Sequence, residues 1–497
     1  MSPPSLPKEL WDEIATHLPG RDVKNLRLVC KSLSNIPLPL DRVFISANLK
    51  DIEVFRCVAD HDVYRHGVRE IIWDEARFQQ DDPMDESNGL ERTERGHIDD
   101  NPPDDFINEC QKEHLVTTYE SWWFYREYLR QQREVLAHDS DIKAFEYGLQ
   151  RFTALQRITL TPAAHGLTFT PLYRTPMIRT LPYGLNYKLP RGWPSTEDCG
   201  TLEASQWNTE ADKAPWRGFR EVIRNLAEKK GPYVTELVLD VHQLLTGLTC
   251  RFFDKPCKEF DHLIAVLRRP GFRRLDLSLM VGAQSYYGWE SFRNGRMRHA
   301  LAEASSDLEH IHLRTDILKN EDGRGQPGSG GHAEHFVPLR SIFPIECWPN
   351  LKHFGLSKFF VQQDDIIAFL SVLPKTIRVI ELSFLYFLDG GGNYRDLLDE
   401  MRSTLGWQSR DIAERPKIII GIEPSCSVIG RAIWLEEDLE LFMYHGGPNP
   451  FKAKLSPNVL LQGHGGTERD EFQPDHERPW VDHAALVQLG IQKESQW

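Results

Sequence analysis

The six-residue phrase FRRLDL at residues 272–277 decides the fold of this chain, because its pattern recurs along most of the sequence. The pattern is apolar-x-x-apolar-x-apolar, and it returns in LQRITL (155–160), VTELVL (234–239), LEHIHL (308–313), LKHFGL (351–356) and IRVIEL (377–382). Alternation of apolar and other residues predicts short strands with one buried side. Three further stretches have strand character without the full phrase: RVFISA (42–47), VREIIW (68–73) and KIIIGI (417–422).

Helical patterns occupy the segments between these phrases. They are DIEVFRCVADH (51–61), FREVIRNLAEKKG (219–231), CKEFDHLIAVLRRPG (257–271), MRHALAEASS (297–306), DDIIAFLSVLPK (364–375) and YRDLLDEMRSTLG (394–406). A repeated strand and helix resembles a leucine-rich repeat, in which short parallel strands stack and helices cover the far face. The phrases are unevenly spaced, so the sequence predicts an α/β repeat fold, an irregular leucine-rich-repeat-like solenoid. The rival is a doubly wound sheet, but no phrase leads into a glycine-rich nucleotide-binding turn.

A short hairpin with surplus apolar surface precedes this body at residues 6–33, LPKELWDEIATHLPGRDVKNLRLVCKSL. Leu10, Ile14 and Leu18 form one helical stripe, for which Pro7 suits the first turn. After PGRD, where Asp22 can cap, a second stripe carries Leu26, Val29, Cys30 and Leu33. Two such short helices cannot bury both stripes against each other alone. The surplus is covered either by the body that follows or by a partner.

The identities of these residues resemble the F-box, a three-helix motif with the pattern Leu-Pro-x-Glu-Leu, Ile, Leu-Pro, Asp and Leu-Arg-x-Val-Cys-Lys. After Leu33, the segment SNIPLPLDRVF lacks a Trp-bearing third helix of the usual kind. The resemblance implies docking to the Skp-type adaptor of SCF ubiquitin ligases, and through it to a cullin. It implies these adaptor-binding positions: Leu6, Pro7, Leu10, Ile14, Leu18, Leu26, Val29 and Cys30. Two segments, LKDIEVFRCVADHDVYRHGVREIIWDEARF (49–78) and GRAIWLEEDLELFMYHGGPNPF (430–451), resemble parts of F-box proteins of filamentous fungi.

Three regions are therefore expected: an F-box at 1–40, a repeat-like body at 41–425, and a C-terminal helix and tail at 426–497. Two segments interrupt the body. Residues 79–108 are acidic and read as a solvated loop, and residues 162–218 are rich in Pro and aromatic residues. The second insertion has too many aromatic side chains for a plain linker, so we expect it to pack on the body.

Composition restricts the partners. The chain has 497 residues and a net charge of −14, which argues against nucleic acid or an anionic membrane as the main partner. No stretch reaches 18 apolar residues, so no membrane span is expected. The eight cysteines lack any paired spacing and indicate a reducing compartment, so we expect a cytoplasmic or nuclear protein.

The sequence contains no recognisable catalytic signature. His310 and His312 alternate on one strand and share a face, but a third metal ligand has no candidate by spacing. We therefore expect no catalytic residue, no cofactor and no metal. The leading hypothesis is a non-catalytic substrate receptor that holds an unknown protein target. The alternatives are an F-box scaffold with no ubiquitin-ligase role, and an unrecognised enzyme with an appended F-box.

Overall fold

The computed structural model of the chain describes residues 6–18, 20–31, 33–34, 36, 40–79, 114–167, 169–195, 203–228, 234–282, 284, 288–317, 332–424, 430–451 and 466–479. The strands are β1 (Arg42–Ser46), β2 (Glu70–Asp74), β3 (Arg157–Thr161), β4 (Glu236–Leu239), β5 (Leu248–Thr249), β6 (Arg274–Met280), β7 (His310–Thr315), β8 (His353–Ser357), β9 (Phe360–Val361), β10 (Val379–Ser383), β11 (Tyr386–Phe387), β12 (Lys417–Ile419), β13 (Gly421–Ile422), β14 (Arg431–Trp434), β15 (Thr467–Asp470) and β16 (Gln473–Pro479).

The helices are α1 (Lys8–Thr16), α2 (Gly20–Val29), α3 (Leu49–Asp60), α4 (Thr118–Ala137), α5 (Ser140–Leu149), α6 (Glu210–Lys213), α7 (Arg217–Glu228), α8 (Lys258–Leu267), α9 (Glu290–Arg293), α10 (Arg296–Ala302), α11 (Leu339–Ile342), α12 (Gln363–Leu370), α13 (Tyr394–Thr404) and α14 (Glu436–His445). The part of the chain that the structure describes contains no helix long and apolar enough to cross a membrane.

One large parallel sheet dominates the fold. Its order is β1-β2-β3-β4-β6-β7-β8-β10-β12, with the short β5 beside β6, so neighbours in the sheet follow each other in the chain. All the phrases and the three additional stretches named above form strands of this sheet, which confirms those strand predictions. The six helical segments are confirmed as α3, α7, α8, α10, α12 and α13.

The helices that connect these strands form one layer. Successive helices contact each other from α3 through α5, α7, α8, α10, α11, α12 and α13. Apolar side chains of the strands point toward this layer and are fully buried, as Leu275 of β6, Ile311 of β7 and Phe354 of β8 show. A doubly wound sheet would carry helices on both faces and would reverse its strand order. The observed sheet keeps its strands in chain order and has one layer of connecting helices, so it is not doubly wound.

The opposite face of the sheet, the polar face, carries aligned charged side chains. One cross-strand row runs Arg42, Glu70, Arg157, Glu236, Arg274, His310 and His353. Opposite charges alternate along its first half. Arg42 Nε lies 2.9 Å from Glu70 Oε2, and Arg157 Nη2 lies 2.6 Å from Glu236 Oε2. Pairs of opposite charge on neighbouring strands favour this register over a shifted one.

The Pro- and aromatic-rich insertion packs against the start of the sheet, as expected. Tyr187, Met177 and Ile178 form a small apolar cluster with Phe78 and Tyr125 of the flanking segments. The backbone N–H of Met177 also donates to buried Asp51 Oδ1 at 2.7 Å. The insertion is therefore part of the folded body. The predicted acidic loop lies outside the described residues from residue 80 onward.

The C-terminal region contains more structure than a helix and a tail. The helix is present as α14, and its Phe442 and Met443 belong to the main core. β13, β14, β15 and β16 form an antiparallel four-stranded sheet, so residues 467–479 are strands rather than tail. β15 reads TERD, whose polarity gives no strand signal, and it exists because it pairs with β14. The three region boundaries remain predictions.

Candidate functional site

The hairpin of α1 and α2 has a small apolar core of its own. Ala15, Val23, Leu33 and Ile36 are buried there, and this cluster is separate from the main core in the described residues. Two details differ from expectation. Pro7 is the N-cap of α1 rather than its first residue, and Asp22 lies inside the first turn of α2, which begins at Gly20. The Asp22 carboxylate is still favourable at a helix N-terminus.

The eight predicted adaptor-binding residues divide into two groups. Leu18, Leu26 and Cys30 are half-buried against the hairpin core, so they hold the two helices together. The exposed group consists of Leu6, Pro7, Leu10, Ile14 and Val29. Leu28, which spacing alone did not assign to adaptor binding, is the most exposed of the hairpin's large apolar side chains at 85%, against 65% for Val29 and 50% for Leu10.

These exposures decide which hairpin residues are available to a partner. Leu6, Leu10 and Ile14 follow one another at intervals of four, which places Leu10 and Ile14 on one side of α1. Leu28 and Val29 end α2. Several large apolar side chains within so short a segment are a feature of binding surfaces rather than of ordinary exposed helices. In the part of the chain that the structure describes, these side chains remain exposed beside the body.

A second candidate surface is a cleft of about 200 Å³ on the polar face of the sheet. It opens between β4, β6, β7, β8 and β10 and is bounded by the C-terminal sheet. The residues that line it are Leu239, Asp240, His242, Arg274, Asp276, Leu277, Ser278, His312, Arg314, Ser357, Glu381, Phe384, Trp434 and Glu471. Glu471 reaches it from the turn between β15 and β16, where its Oε1 accepts from Gln243 Nε2 at 3.0 Å.

Three histidines lie on the polar face next to this cleft: His310 and His312 of β7 and His353 of β8. His310 and His353 stack with ring centroids 3.9 Å apart, and His310 Nε2 lies 2.9 Å from Asp276 Oδ1. Burial lowers the pKa of His353 to about 2, and the neighbouring His310 and His312 add to that effect. Burial also lowers the pKa of His310, against the opposing effect of Asp276. The His353 ring is therefore neutral at physiological pH.

Asp276 is the ionised partner in this group. Burial alone would raise its pKa, but the contacts with His310 and Arg274 hold the pKa of Asp276 well below its usual range. Arg274 Nη2 lies 2.6 Å from Asp276 Oδ2. His310 and His312 share the polar face of β7, as predicted. In the described ranges, no group of three or more His, Cys, Asp or Glu side chains could hold a metal ion.

Gly355 makes room for the third ring. A Cβ at this position would lie 2.8 Å from the ring of His312, closer than real side chains approach. The glycine therefore lets His312 lie across β8. Arg314 continues the alternation of His310 and His312 and lines the cleft next to them. The sequence analysis did not select Arg314. Its position two residues after His312 on the same strand was enough to place it on the same face of the sheet.

The strand ends beside the cleft are tied together by hydroxyl groups. Ser278 Oγ donates to Leu239 O at 2.8 Å, Thr315 Oγ1 donates to Lys358 O, and Ser383 Oγ accepts from Gly421 N–H at 3.0 Å. The first bond joins β6 to β4, the second joins β7 to the residue that follows β8, and the third joins β10 to β13. These Ser and Thr side chains therefore supply hydrogen bonds across the strand ends beside the cleft.

The backbone turns sharply just after the strands that surround the cleft. His242, Lys358 and Phe384 have φ of 48°, 53° and 56°, a left-handed region that costs non-glycine residues about 1 kcal/mol or more. Lys358 N–H donates to Ser383 O at 3.1 Å and Phe384 N–H donates to Gly421 O at 2.8 Å, which hold these turns. The cleft is thus built on a fixed backbone.

Comparison with known proteins identifies the hairpin. Residues 4–38 match the family model of the F-box domain. No curated protein matches the chain. The match spans α1, α2 and the residues of their small apolar core, which agrees with the hairpin geometry. F-box domains are generally adaptor-binding units of SCF-type ubiquitin ligases, and the proteins that carry them are generally non-catalytic. The chain therefore carries an F-box domain at residues 4–38.

Proposed function

We propose that this protein is the substrate receptor of an SCF-type cullin ubiquitin ligase. The F-box hairpin binds a Skp-type adaptor, and the adaptor connects it to a cullin. The body binds a protein target and holds it near the transferred ubiquitin. On this proposal the chain contributes proximity and orientation to the transfer, with no covalent chemistry of its own.

The exposed apolar residues of the hairpin carry this proposal. Complete burial of a Leu, Ile or Val side chain is worth about 1.5 to 3 kcal/mol. Since Leu10 and Val29 are already partly covered, each has about 1 to 2 kcal/mol left to gain in a complex. Together with Leu6, Ile14 and Leu28, they offer enough free energy to offset part of the cost of association.

We further propose that the body is an irregular leucine-rich-repeat-like solenoid. Two observations support it: the strands follow chain order through the sheet, and the helices lie in one layer. In such folds each repeat contacts only its neighbours, and one face of the strand layer is left to bind partners. The polar face and its cleft are the part of this body that we assign to target binding.

A titration of the purified full chain with a Skp-type adaptor tests the adaptor claim. We expect the double substitution Leu10→Asp and Val29→Asp to weaken binding by at least about 3 kcal/mol, a factor of more than 100. Both side chains are exposed, so the free protein tolerates the change. Leu26 is unsuited to this test because it packs against the hairpin core.

The matched control is Ile412→Asp, which changes an 82% exposed apolar side chain of the body to the same acid. Its adaptor affinity should equal that of the wild type. Equal affinity in the double variant would contradict adaptor binding through these residues. An adaptor complex that never includes a cullin would favour the alternative, an F-box scaffold without a ubiquitin-ligase role.

A further inference from the structure

We propose that His242 is a pH-sensitive clamp, whose protonated ring holds the turn between β15 and β16 against the cleft and whose deprotonation loosens that turn. The turn consists of Glu471 and Phe472, and His242 follows β4 in the body. The inference concerns the body and the C-terminal sheet alone. It does not depend on adaptor binding, which belongs to the hairpin at residues 4–38.

Each ring nitrogen of His242 faces a carboxylate. Nδ1 lies 3.6 Å from Glu471 Oε2, and Nε2 lies 3.3 Å from Asp240 Oδ2. A neutral imidazole carries one N–H group, so one of the two carboxylates then faces a bare nitrogen. The imidazolium carries an N–H group on both nitrogens and a positive charge between the two acids. The geometry therefore fits the protonated ring better than the neutral one.

Glu471 is the acid that depends on this charge. Its Oε1 accepts from Gln243 Nε2 at 3.0 Å, whereas its Oε2 is buried and has no hydrogen-bond partner among the described residues. A carboxylate oxygen removed from water is costly unless a nearby positive charge compensates it. In the described part of the chain, His242 is the ion-pair partner of this oxygen. Protonation of the ring therefore stabilises the turn in its observed place.

Three further groups face the ring from neighbouring elements. Arg314 of β7 opposes protonation of His242 by its charge. Arg274 of β6 is already paired, because its Nη2 lies 2.6 Å from Asp276 Oδ2. The hydroxyl of Tyr173, from the Pro- and aromatic-rich insertion, lies 3.3 Å from His242 Nε2. Burial raises the pKa of Tyr173, so this hydroxyl stays neutral and cannot replace the charge of the ring.

The other contacts of the turn do not titrate near neutral pH. The preceding Asp470 is buried, and its Oδ2 lies 3.1 Å from Arg431 Nε. Phe472 is also buried and packs over Gly166 of the insertion, where an added Cβ would lie 3.0 Å from Phe472 Cδ1. These contacts keep the turn attached at every pH. The clamp therefore changes how often the turn opens and does not decide whether it is folded.

The direction of the pH effect follows from the groups around His242. Burial lowers the pKa of His242, but Asp240 and Glu471 outweigh burial and Arg314, so the pKa is raised above its ordinary value. The stabilising contribution is then complete below about pH 6.5, the unfolded value, and is lost as the pH rises through the folded pKa. Since Glu471 lines the cleft, a looser turn makes the cleft more accessible at higher pH.

Hydrogen exchange of the full chain, followed by mass spectrometry, tests the clamp. Exchange of residues 466–472 is compared at pH 6.0 and pH 9.0, with labelling times scaled to remove the intrinsic effect of pH. We expect these residues to open about five times more often at pH 9.0, the effect of losing one partly exposed ion pair. His242→Asn should abolish this difference. Asn suits the position because it tolerates the left-handed backbone that His242 adopts.

A histidine-selective NMR titration of the same chain locates the proton. The His242 signal is assigned by its loss in His242→Asn, and its pKa should lie above 6.5, the ordinary value. Glu471→Gln keeps a polar side chain of the same size, removes the charge, and should lower that pKa. The matched control is His445→Asn, which removes an exposed histidine 3.7 Å from Glu440. It should leave the titration of His242 and the pH dependence of exchange as in the wild type.

Four results overturn the proposal: equal opening of residues 466–472 at both pH values in the wild type, a pH dependence that persists in His242→Asn, a pKa of His242 at or below 6.5, or a pKa that Glu471→Gln does not lower. Neither measurement involves the adaptor. Failure of the clamp therefore leaves the proposed receptor function standing, and failure of the adaptor titration leaves the clamp standing.

Discussion

His165 offers a quantitative test of how the Pro- and aromatic-rich insertion is packed, because His165 and its partner Tyr187 both belong to it. Its side chain is 3% exposed, and its Nδ1 lies 2.7 Å from the hydroxyl of Tyr187. Burial, and then the charge of Arg191, lower the pKa of His165 to about 3. The ring is therefore neutral in the folded protein at pH 5, whereas in the unfolded chain it takes up a proton below about pH 6.5.

The sign and size of the effect follow from proton linkage. Below pH 6.5 the unfolded state binds more protons than the folded state, so His165 reduces stability as pH falls. Between pH 6.5 and 5.0 the loss is about 1.5 pH units at 1.36 kcal/mol each, or about 2 kcal/mol. The loss of stability begins near pH 6.5, the pKa of the histidine in the unfolded chain. It is still growing at pH 5.0, because the pKa of about 3 in the folded protein lies below this window.

Urea unfolding of wild type and His165→Gln at pH 7.5 and pH 5.0 measures this loss. Other titrating groups cancel in the difference between the two proteins. We expect the variant to gain about 2 kcal/mol relative to wild type at the lower pH. Tyr187→Phe is the control, since it removes the hydrogen bond and keeps the ring buried. It should cost about 1 kcal/mol at both pH values. A difference between wild type and His165→Gln that is independent of pH would refute the reasoning.

Two further substitutions test the packing of the body by the same unfolding measurement. Gly355→Ala places a methyl group 2.8 Å from the ring of His312, and we expect a loss of about 1 to 3 kcal/mol; an unchanged stability would show that the ring is loosely held. Arg217→Met leaves Asp141, which is 1% exposed, without its ion pair, and should cost about 3 kcal/mol; a cost below about 1 kcal/mol would contradict a buried pair.

The sheet could be predicted from sequence because its signal is local. In FRRLDL and its relatives, alternate residues such as Leu275 and Leu277 are buried and the intervening ones face outward, so the period of two is visible in the chain. The hairpin was recognisable for a different reason. Its residue identities, as well as their spacing, match a known motif, whereas spacing alone could not separate exposed Val29 from half-buried Leu26.

The candidate cleft could not be predicted, because residues far apart in the chain form it. Glu471 and Trp434 come from a sheet whose strands include the polar TERD, and that sheet depends on tertiary pairing. The hydrogen bonds that Ser278 and Ser383 make between strands likewise become visible only in the structure.

Affinity purification of the full chain from cells with an inhibited proteasome tests the central claim most directly. The wild type should recover a Skp-type adaptor, a cullin and at least one further protein that carries ubiquitin. The variant with Leu10→Asp and Val29→Asp should lose the adaptor and the cullin while it keeps the further protein, and Ile412→Asp should behave as the wild type. A wild-type purification that contains no cullin, or a double variant that retains it, would contradict the account.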